Sequence, residues 1–337
     1  VDGDELAKRK MAPILVVGAT GQLGTAVIDW LVGRGLGVRA LVRPSSPREF
    51  AAEGVELAFG DLRDPASLSA ACRGVGTVVA TANVVVPRSA GGFADVEGVG
   101  YGHLVDACKA EGVQRIVLMS TDVTPHDARV ATFRTKRQIE ERIRASGIAH
   151  SIFRGSLFMD DWFALMGSSI PLRGAKAATL RRPFWFARGF LTMAGTSIEK
   201  RGIALVPGDG STRHAFVALD DVAAILAAAA AAPEDGTNLV ANLGGPELLS
   251  WNEVVALFER VLGRKLRKIH TPAGAYRALA NVLEPFSAPA ANLMAMSWLT
   301  TICETAWDCK PLAERFGIRL TSAEEFLRAK AALPAET

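Results

Sequence analysis

The stretch "ILVVGATGQLG", Ile14 to Gly24, decides how this chain is read. Four apolar residues of strand character run into Gly18, Gly21 and Gly24, and the apolar spacing of the following "TAVIDWLVG" is helical. A strand that enters a helix through such a turn has a specific use. The first glycine makes the tight turn, the second lets the backbone approach a pyrophosphate, and the third lets helix pack on strand, with the helix N-terminal amides facing the phosphates. Thr20, Gln22 and Leu23 complete the turn and join the three glycines as expected dinucleotide contacts. A glycine triplet alone is a weak signal, so the reading rests on what surrounds it.

From Met11 onward, short branched runs alternate with amphipathic stretches. Strands are expected at "GVRALVRP", "GVELAFGD", "GTVVATA", "RIVLMST" and "AHSIFRG". With the first they make six, joined by helical crossovers, which predicts an α/β fold with a doubly wound parallel sheet of the Rossmann type. Asp64 before Pro65 is an N-cap and first-turn pair, and Gly147 stops a helix expected from about Asp127 to Ser146. After Gly155 the rhythm changes. Residues 156–202 are rich in Phe, Trp, Met and Arg without strand alternation, and the regular pattern then returns, with Ser250 and Glu253 spaced as a capping box. The expected organisation is a disordered leader over 1–11, a dinucleotide-binding domain over 12–155, and a smaller, mostly helical substrate lobe over 156–330 that also returns strands and helices to the first sheet.

Composition narrows the function. The 337 residues are 49% hydrophobic, enough for a large core, and 38 basic against 35 acidic residues give a net charge of +3 without a basic block. Nucleic acid is not an expected partner. The four cysteines form no CxxC pair, so a metal site is not expected and a reduced, cytoplasmic protein is. No apolar run reaches the ~20 residues of a spanning helix. The oligomeric state is open between monomer and homodimer.

About twenty residues beyond the glycines, NAD-preferring sites carry an acidic residue for the ribose 2′-OH. Here "LVRPSSPRE" places Arg43 there, with Ser45, Ser46 and Arg48 nearby. A guanidinium suits a 2′-phosphate, which predicts NADP(H) over NAD(H).

These residues, together with "GDLRDPASL", "LVDACKAEGVQRIVLMST", "KRQIEERIRASGIAHSIFRGSLFMD" and "HAFVALDDVAAI", resemble the NmrA-like group of atypical short-chain dehydrogenase/reductases over about Ile14 to Leu262. The resemblance implies roles for further residues. Asp61 and Leu62 would contact the adenine, and Thr81, Ala82 and Asn83 the adenosine ribose and pyrophosphate. Ser120 and Thr121 would lie beside the nicotinamide, Lys136 would hold its ribose, and Arg154, Gly155, Ser156 and Leu157 would border the carboxamide. Val84, Asp122, Phe158, Trp162, Phe184, Trp185 and Phe190 are expected at the substrate.

Typical short-chain reductases place a tyrosine four residues before the lysine, where both reach one site and the ammonium lowers the phenol's pKa. Here that position is Thr132, whose aliphatic hydroxyl is too weak an acid to donate the proton, although it could orient a substrate oxygen. The chain has two tyrosines, Tyr101 and Tyr276. Tyr101 belongs to a crossover helix and is read as packed or exposed, and Tyr276 could reach the cleft only if the C-terminal lobe folds over it. His126, in the loop after the fifth strand, is the substitute proton donor to test. His103 and His214 are read as structural. Lys136 also has a plain alternative, a solvated helix pair with Glu140.

Two functions follow. One is an NADPH-dependent reductase of a hydrophobic small molecule such as an enone, quinone, ketone or imine. The other is a non-catalytic NADP(H) sensor or regulatory protein of the NmrA type. The aromatics of "LRRPFWFARGFLTM" suit an apolar ligand and equally lobe core, with a weak membrane-surface contact as a lesser third alternative.

Overall fold

The computed structural model describes residues 12–44, 53–83, 98–181, 185–232 and 238–335. In chain order, β1 (Ile14–Val17), α1 (Gln22–Gly33), β2 (Val38–Val42), β3 (Glu56–Phe59), α2 (Pro65–Cys72), β4 (Thr77–Ala80), α3 (Gly100–Ala110), β5 (Arg115–Thr121), α4 (Ala131–Ala145) and β6 (Ala149–Gly155) form the dinucleotide-binding half. Then come α5 (Met159–Leu165), α6 (Trp185–Met193), α7 (Ser197–Arg201), β7 (Ile203–Pro207), β8 (Arg213–His214), α8 (Leu219–Ala231), β9 (Leu239–Leu243), β10 (Leu249–Ser250), α9 (Trp251–Leu262), β11 (Arg267–Thr271), α10 (Ala273–Leu283), α11 (Ala288–Ile302), α12 (Lys310–Arg315) and α13 (Ala323–Ala332).

The central sheet has seven strands in the order β3-β2-β1-β4-β5-β6-β9, one more than the alternation predicts. All its pairings are parallel. Strand order reverses between β1 and β4, which opens a crevice at their carboxyl ends, where such sheets bind ligands. One face is covered by α1 and α8, through Val27, Ile28 and Leu31 against Val222, Ile225 and Leu226. Helices α2, α3 and α4 cover the other with Leu68, Leu104, Ile139 and Ile143. Helix α8 is alanine-rich and buried on nearly every side, and its small residues let it lie close to α1 and the sheet. The later segment therefore returns β9 and α8 to the central sheet.

A third core, built from Phe163, Phe216, Trp251, Phe258 and Phe326, belongs to the lobe. There the two-stranded pairs β7–β11 and β8–β10 add to the helices. The Asp64 cap and the Ser250–Glu253 capping box both form. The helix expected from Asp127 starts later. Asp127–Arg129 is a separate 3-10 turn, and Val130 is extended, at φ −121° and ψ 118°, before α4 begins at Ala131. The Asp127 carboxylate accepts from the Thr124 amide and hydroxyl, both at 2.8 Å, which holds the turn as its own unit. No described helix is long and apolar enough to cross a membrane.

Candidate functional site

The glycine turn is shaped as a cradle. Gly18 has φ +91°, and a Cβ there would lie 2.6 Å from the Ala82 nitrogen, while one at Gly24 would lie 2.2 Å from the Gly18 oxygen. Gly21 caps α1 without any side-chain hydrogen bond and donates its N–H to the Gly18 oxygen at 2.8 Å. The first-turn amides of α1 are thus left for an anion. The Gln22 Oε1 accepts from the Thr179 amide at 2.9 Å, and its buried Nε2 has no hydrogen-bond partner among the described residues. The Leu23 side chain turns into the core, and Thr20 is half-buried beside it. A backbone that admits no Cβ, next to uncapped amides, fits a dinucleotide pyrophosphate.

Arg43 is half-buried just past β2. Asp61 accepts from the Arg63 amide, Nε and Nη2, each at 2.9 Å. Arg63 holds that carboxyl below its usual range against partial burial, and Arg43 adds to the effect. Sequence reasoning missed Arg63. Its adjacency to Asp61 was visible, but not its fold back onto the carboxylate. The Leu62 carbonyl faces the His103 Nδ1 at 3.3 Å.

At the end of β4, the Thr81 hydroxyl donates to the Val17 oxygen at 3.1 Å, and Asn83 is exposed. Val84 lies outside the described residues. The Ala82 carbonyl accepts from the Tyr101 hydroxyl at 2.7 Å and from the Lys136 Nζ at 3.3 Å, and that Nζ sits 5.2 Å from the Tyr101 ring centre. Lys136 is 2% exposed, so the solvated pair with Glu140 does not describe it. Glu140 is held instead by Arg137 at 2.7 Å, Arg154 at 2.5 Å and Arg144 at 3.3 Å, and it accepts the Ser120 hydroxyl at 2.6 Å. Burial opposes its charge, yet Arg154, Ser120 and Arg137 together keep its carboxyl below the usual range. This network ties the ends of β5 and β6 to α4. Ser120 and Arg154 both belong to it.

Beyond the carboxyl ends of β5 and β6 lies a cavity of about 80 Å³, lined among others by Thr121, Asp122, Gly155, Ser156, Leu157 and Trp162. Phe133 of α4 and Met296, Leu299 and Cys303 of the C-terminal segment close it. Phe158 is half-buried and bridges Val217. The Ser156 hydroxyl is 2.9 Å from that of Thr305. His214 also lines the cavity. Its Nε2 donates to the Thr300 oxygen, its Nδ1 faces the Thr305 hydroxyl, and burial pushes its pKa down to about 4, so it is neutral near pH 7. Asp122 is 6% exposed, and burial, with Asp127 adding, pushes its carboxyl up to about 7.

Four expected residues stand apart from this cavity. Thr132 is fully buried, its amide and hydroxyl bonded to Asn292 of α11 at 3.3 and 2.8 Å. His126 is half-buried against Trp298, with ring centres 5.4 Å apart, and does not line the cavity. Trp185 is 64% exposed on α6, edge-on to Phe186, and Phe190 is half-buried on the same helix. Phe184 lies outside the described residues. Tyr276 packs beside Trp298 and Phe133. A larger groove of about 350 Å³ lies along β9 and α12, but no predicted site residue lines it.

Known proteins are similar to this chain in sequence and in fold. The chain is 28% identical over 258 residues to an NAD(P)H azoreductase of Xenophilus azovorans, covering 76% of each. It is 33% identical over 142 residues to the photosystem II assembly factor Ycf39 of Cyanophora paradoxa, which is 42% of this chain and 44% of that one. The match thus spans less than half the length of that relative. The structure superimposes on the NADPH-complexed quinone oxidoreductase QOR2 of Escherichia coli with a TM-score of 0.69 at 20% identity, covering 94% and 99% of the two chains. Triphenylmethane reductase of Citrobacter sp., complexed with NADP(H), gives a TM-score of 0.69 at 22% identity with the same coverage. The fold is therefore that of Rossmann-type dinucleotide-binding proteins. The model of the NmrA-like family matches residues 10–327, almost the whole sequence, and the chain belongs to that family.

Proposed function

We propose that this chain is an NADPH-preferring reductase of a hydrophobic small molecule such as a quinone, enone, ketone or imine. The observation that carries the reading is the junction of two surfaces at one end of the sheet. The cradle at Gly18, Gly21 and Gly24 leads past Ala82 and buried Lys136 to an apolar cavity at the tips of β5 and β6. When bound, the reduced dinucleotide supplies a hydride, and the protein supplies orientation and a dry pocket. The α1 N-terminus would hold the pyrophosphate, Arg43 a 2′-phosphate, and Lys136 the nicotinamide ribose. Leu157, Trp162, Phe133 and Leu299 would exclude water from the acceptor. A volume of about 80 Å³ falls short of the ~300 Å³ common for drug-sized ligands, so an aromatic acceptor enters only as the cavity walls move.

The relation to reductases acting on azo and quinone compounds supports this reading, as do the NADP(H) complexes among the similar structures. The match to a photosystem II assembly factor favours a second reading, a dinucleotide-binding regulatory protein without turnover. Absorbance of NADPH, followed against a panel of quinones, azo dyes, enones and imines, separates the two. Consumption with at least one acceptor is expected. Tight NADPH binding with no consumption by any of them would favour the regulatory reading.

A further inference from the structure

The missing tyrosine leaves the reduction without an obvious acid, and one buried carboxyl lines the cavity. Asp122 follows β5 directly and lines the cavity with Leu157, Trp162 and Phe133. Its backbone is fixed on both sides. Its amide donates to the Gly155 oxygen at 3.2 Å, and its carbonyl accepts from the Arg137 Nη2 at 3.1 Å. Among the described residues, its own backbone N–H is the one group that donates to its carboxylate, and no ion pair forms with it. That departs from the usual state of a buried acid, which is paired.

The groups around it explain its state. Arg137 is the nearest compensating charge, but its guanidinium is shared with Asp127 at 3.3 Å, Glu140 at 2.7 Å and the Thr121 oxygen. Asp127, from the following turn, pushes the same way as burial. On the far wall, Cys303 is a thiol held up by burial, and His214 is neutral. With the carboxyl near 7, about half the molecules carry its proton at neutral pH, the condition a general acid needs.

We propose that Asp122 is the proton donor of the reduction. The proposal rests on the reductase reading above. A hydride with its electron pair passes from the reduced nicotinamide to one end of a polarised double bond in the acceptor. The Asp122 O–H bond breaks, and its proton goes to the other end. The acceptor is then reduced by two electrons, the dinucleotide is oxidised, and the Asp122 carboxylate regains its proton from water. The site thereby selects apolar acceptors whose second atom is basic once hydride arrives: quinone or ketone oxygen, and imine or azo nitrogen.

The test uses the full chain, NADPH, and a naphthoquinone and an azo dye as acceptors, with Asp122→Asn as the near-isosteric variant and His126→Ala beside it. Turnover by Asp122→Asn is expected to fall about 100-fold, with NADPH affinity within about twofold of wild type. The wild-type rate should be high below about pH 7 and decline above it, and the variant should lose that decline. Independently of turnover, infrared difference spectra at pH 6 should show a protonated buried carboxyl in the wild type that Asp122→Asn lacks. Retention of both the rate and the pH decline in Asp122→Asn, or their loss in His126→Ala instead, would overturn the assignment. So would absence of the carboxyl band at pH 6. If the wild type binds NADPH but reduces neither acceptor nor any other in the panel, the reductase reading falls and the proposal with it.

Discussion

The glycine cradle and the roof of the cavity lie at the same end of the sheet, yet they are specified in opposite ways. The cradle is local: Gly18, Gly21 and Gly24 constrain one another, and the one distant contact that matters is with Ala82. The roof is remote. Its Met296, Leu299 and Cys303 come from a helix and its end far along the chain, and behind them Thr132 and Asn292, 160 residues apart, join α4 to α11 in two hydrogen bonds. Backbone sterics write themselves into residue type, because only glycine fits. Packing of distant helices does not, because many side chains fill the same space.

The contrast can be broken by substitution, and the largest effect belongs to the cradle. Gly24→Val adds atoms where even a Cβ would lie 2.2 Å from the Gly18 oxygen. It should weaken NADPH binding by more than about 1,000-fold, about 4 kcal/mol, in a fluorescence titration. Binding within tenfold of wild type would show that the turn is not the pyrophosphate site.

Next is the pH dependence of stability at the cavity. The Asp122 carboxyl titrates near its ordinary value when unfolded and near 7 when folded. The folded state therefore holds the extra proton between about pH 4 and 7, and rising pH removes stability across that window. Asp122→Asn should match wild type at pH 4 and exceed it above pH 7, by up to about 4 kcal/mol, in denaturant melts. A constant difference across the range would contradict the raised value. His214 acts in the opposite sense. Its folded pKa is depressed to about 4, so its contribution is full above about pH 6.5 and is lost as pH falls toward 4.

Lys136→Ala sharpens the comparison, because the lysine lies between the two regions. Losing a buried ammonium that donates to the Ala82 oxygen should cost about 2 kcal/mol in NADPH affinity, roughly 30-fold, measured by titration. The smallest effect is expected of Asn292→Ala. It leaves the Thr132 hydroxyl without its partner and should lower stability by about 1 to 2 kcal/mol in thermal melts, with NADPH affinity unchanged.

What could be read from residues alone follows the same division. The strands, the turn, the Asp64 cap and the Ser250–Glu253 box are local features, and each formed where its spacing placed it. The seventh strand, β9, lies where the regular pattern returns, but nothing in "TNLVANLGG" says that it pairs with β6, since sheet order is a long-range property. The plain alternative for Lys136 fails for a similar reason. Its spacing to Glu140 suggested an exposed pair, whereas tertiary packing gave Glu140 to Arg137 and Arg154 and placed the lysine on Tyr101. The late start of α4 came from the Asp127 side chain, whose capping of Thr124 is not visible as periodicity.

The central claim is that the cradle and the cavity serve one hydride transfer. NADPH deuterated at both positions of the nicotinamide C4, incubated with the chain and a naphthoquinone, azo or enone acceptor, tests it directly. The account predicts consumption of NADPH with one deuteride equivalent delivered to each molecule of acceptor reduced. For an enone, this appears as a carbon-bound deuterium in the product, and Lys136→Ala and Asp122→Asn slow its appearance. Saturating binding of the labelled dinucleotide, with no acceptor reduced and no label transferred, would contradict it.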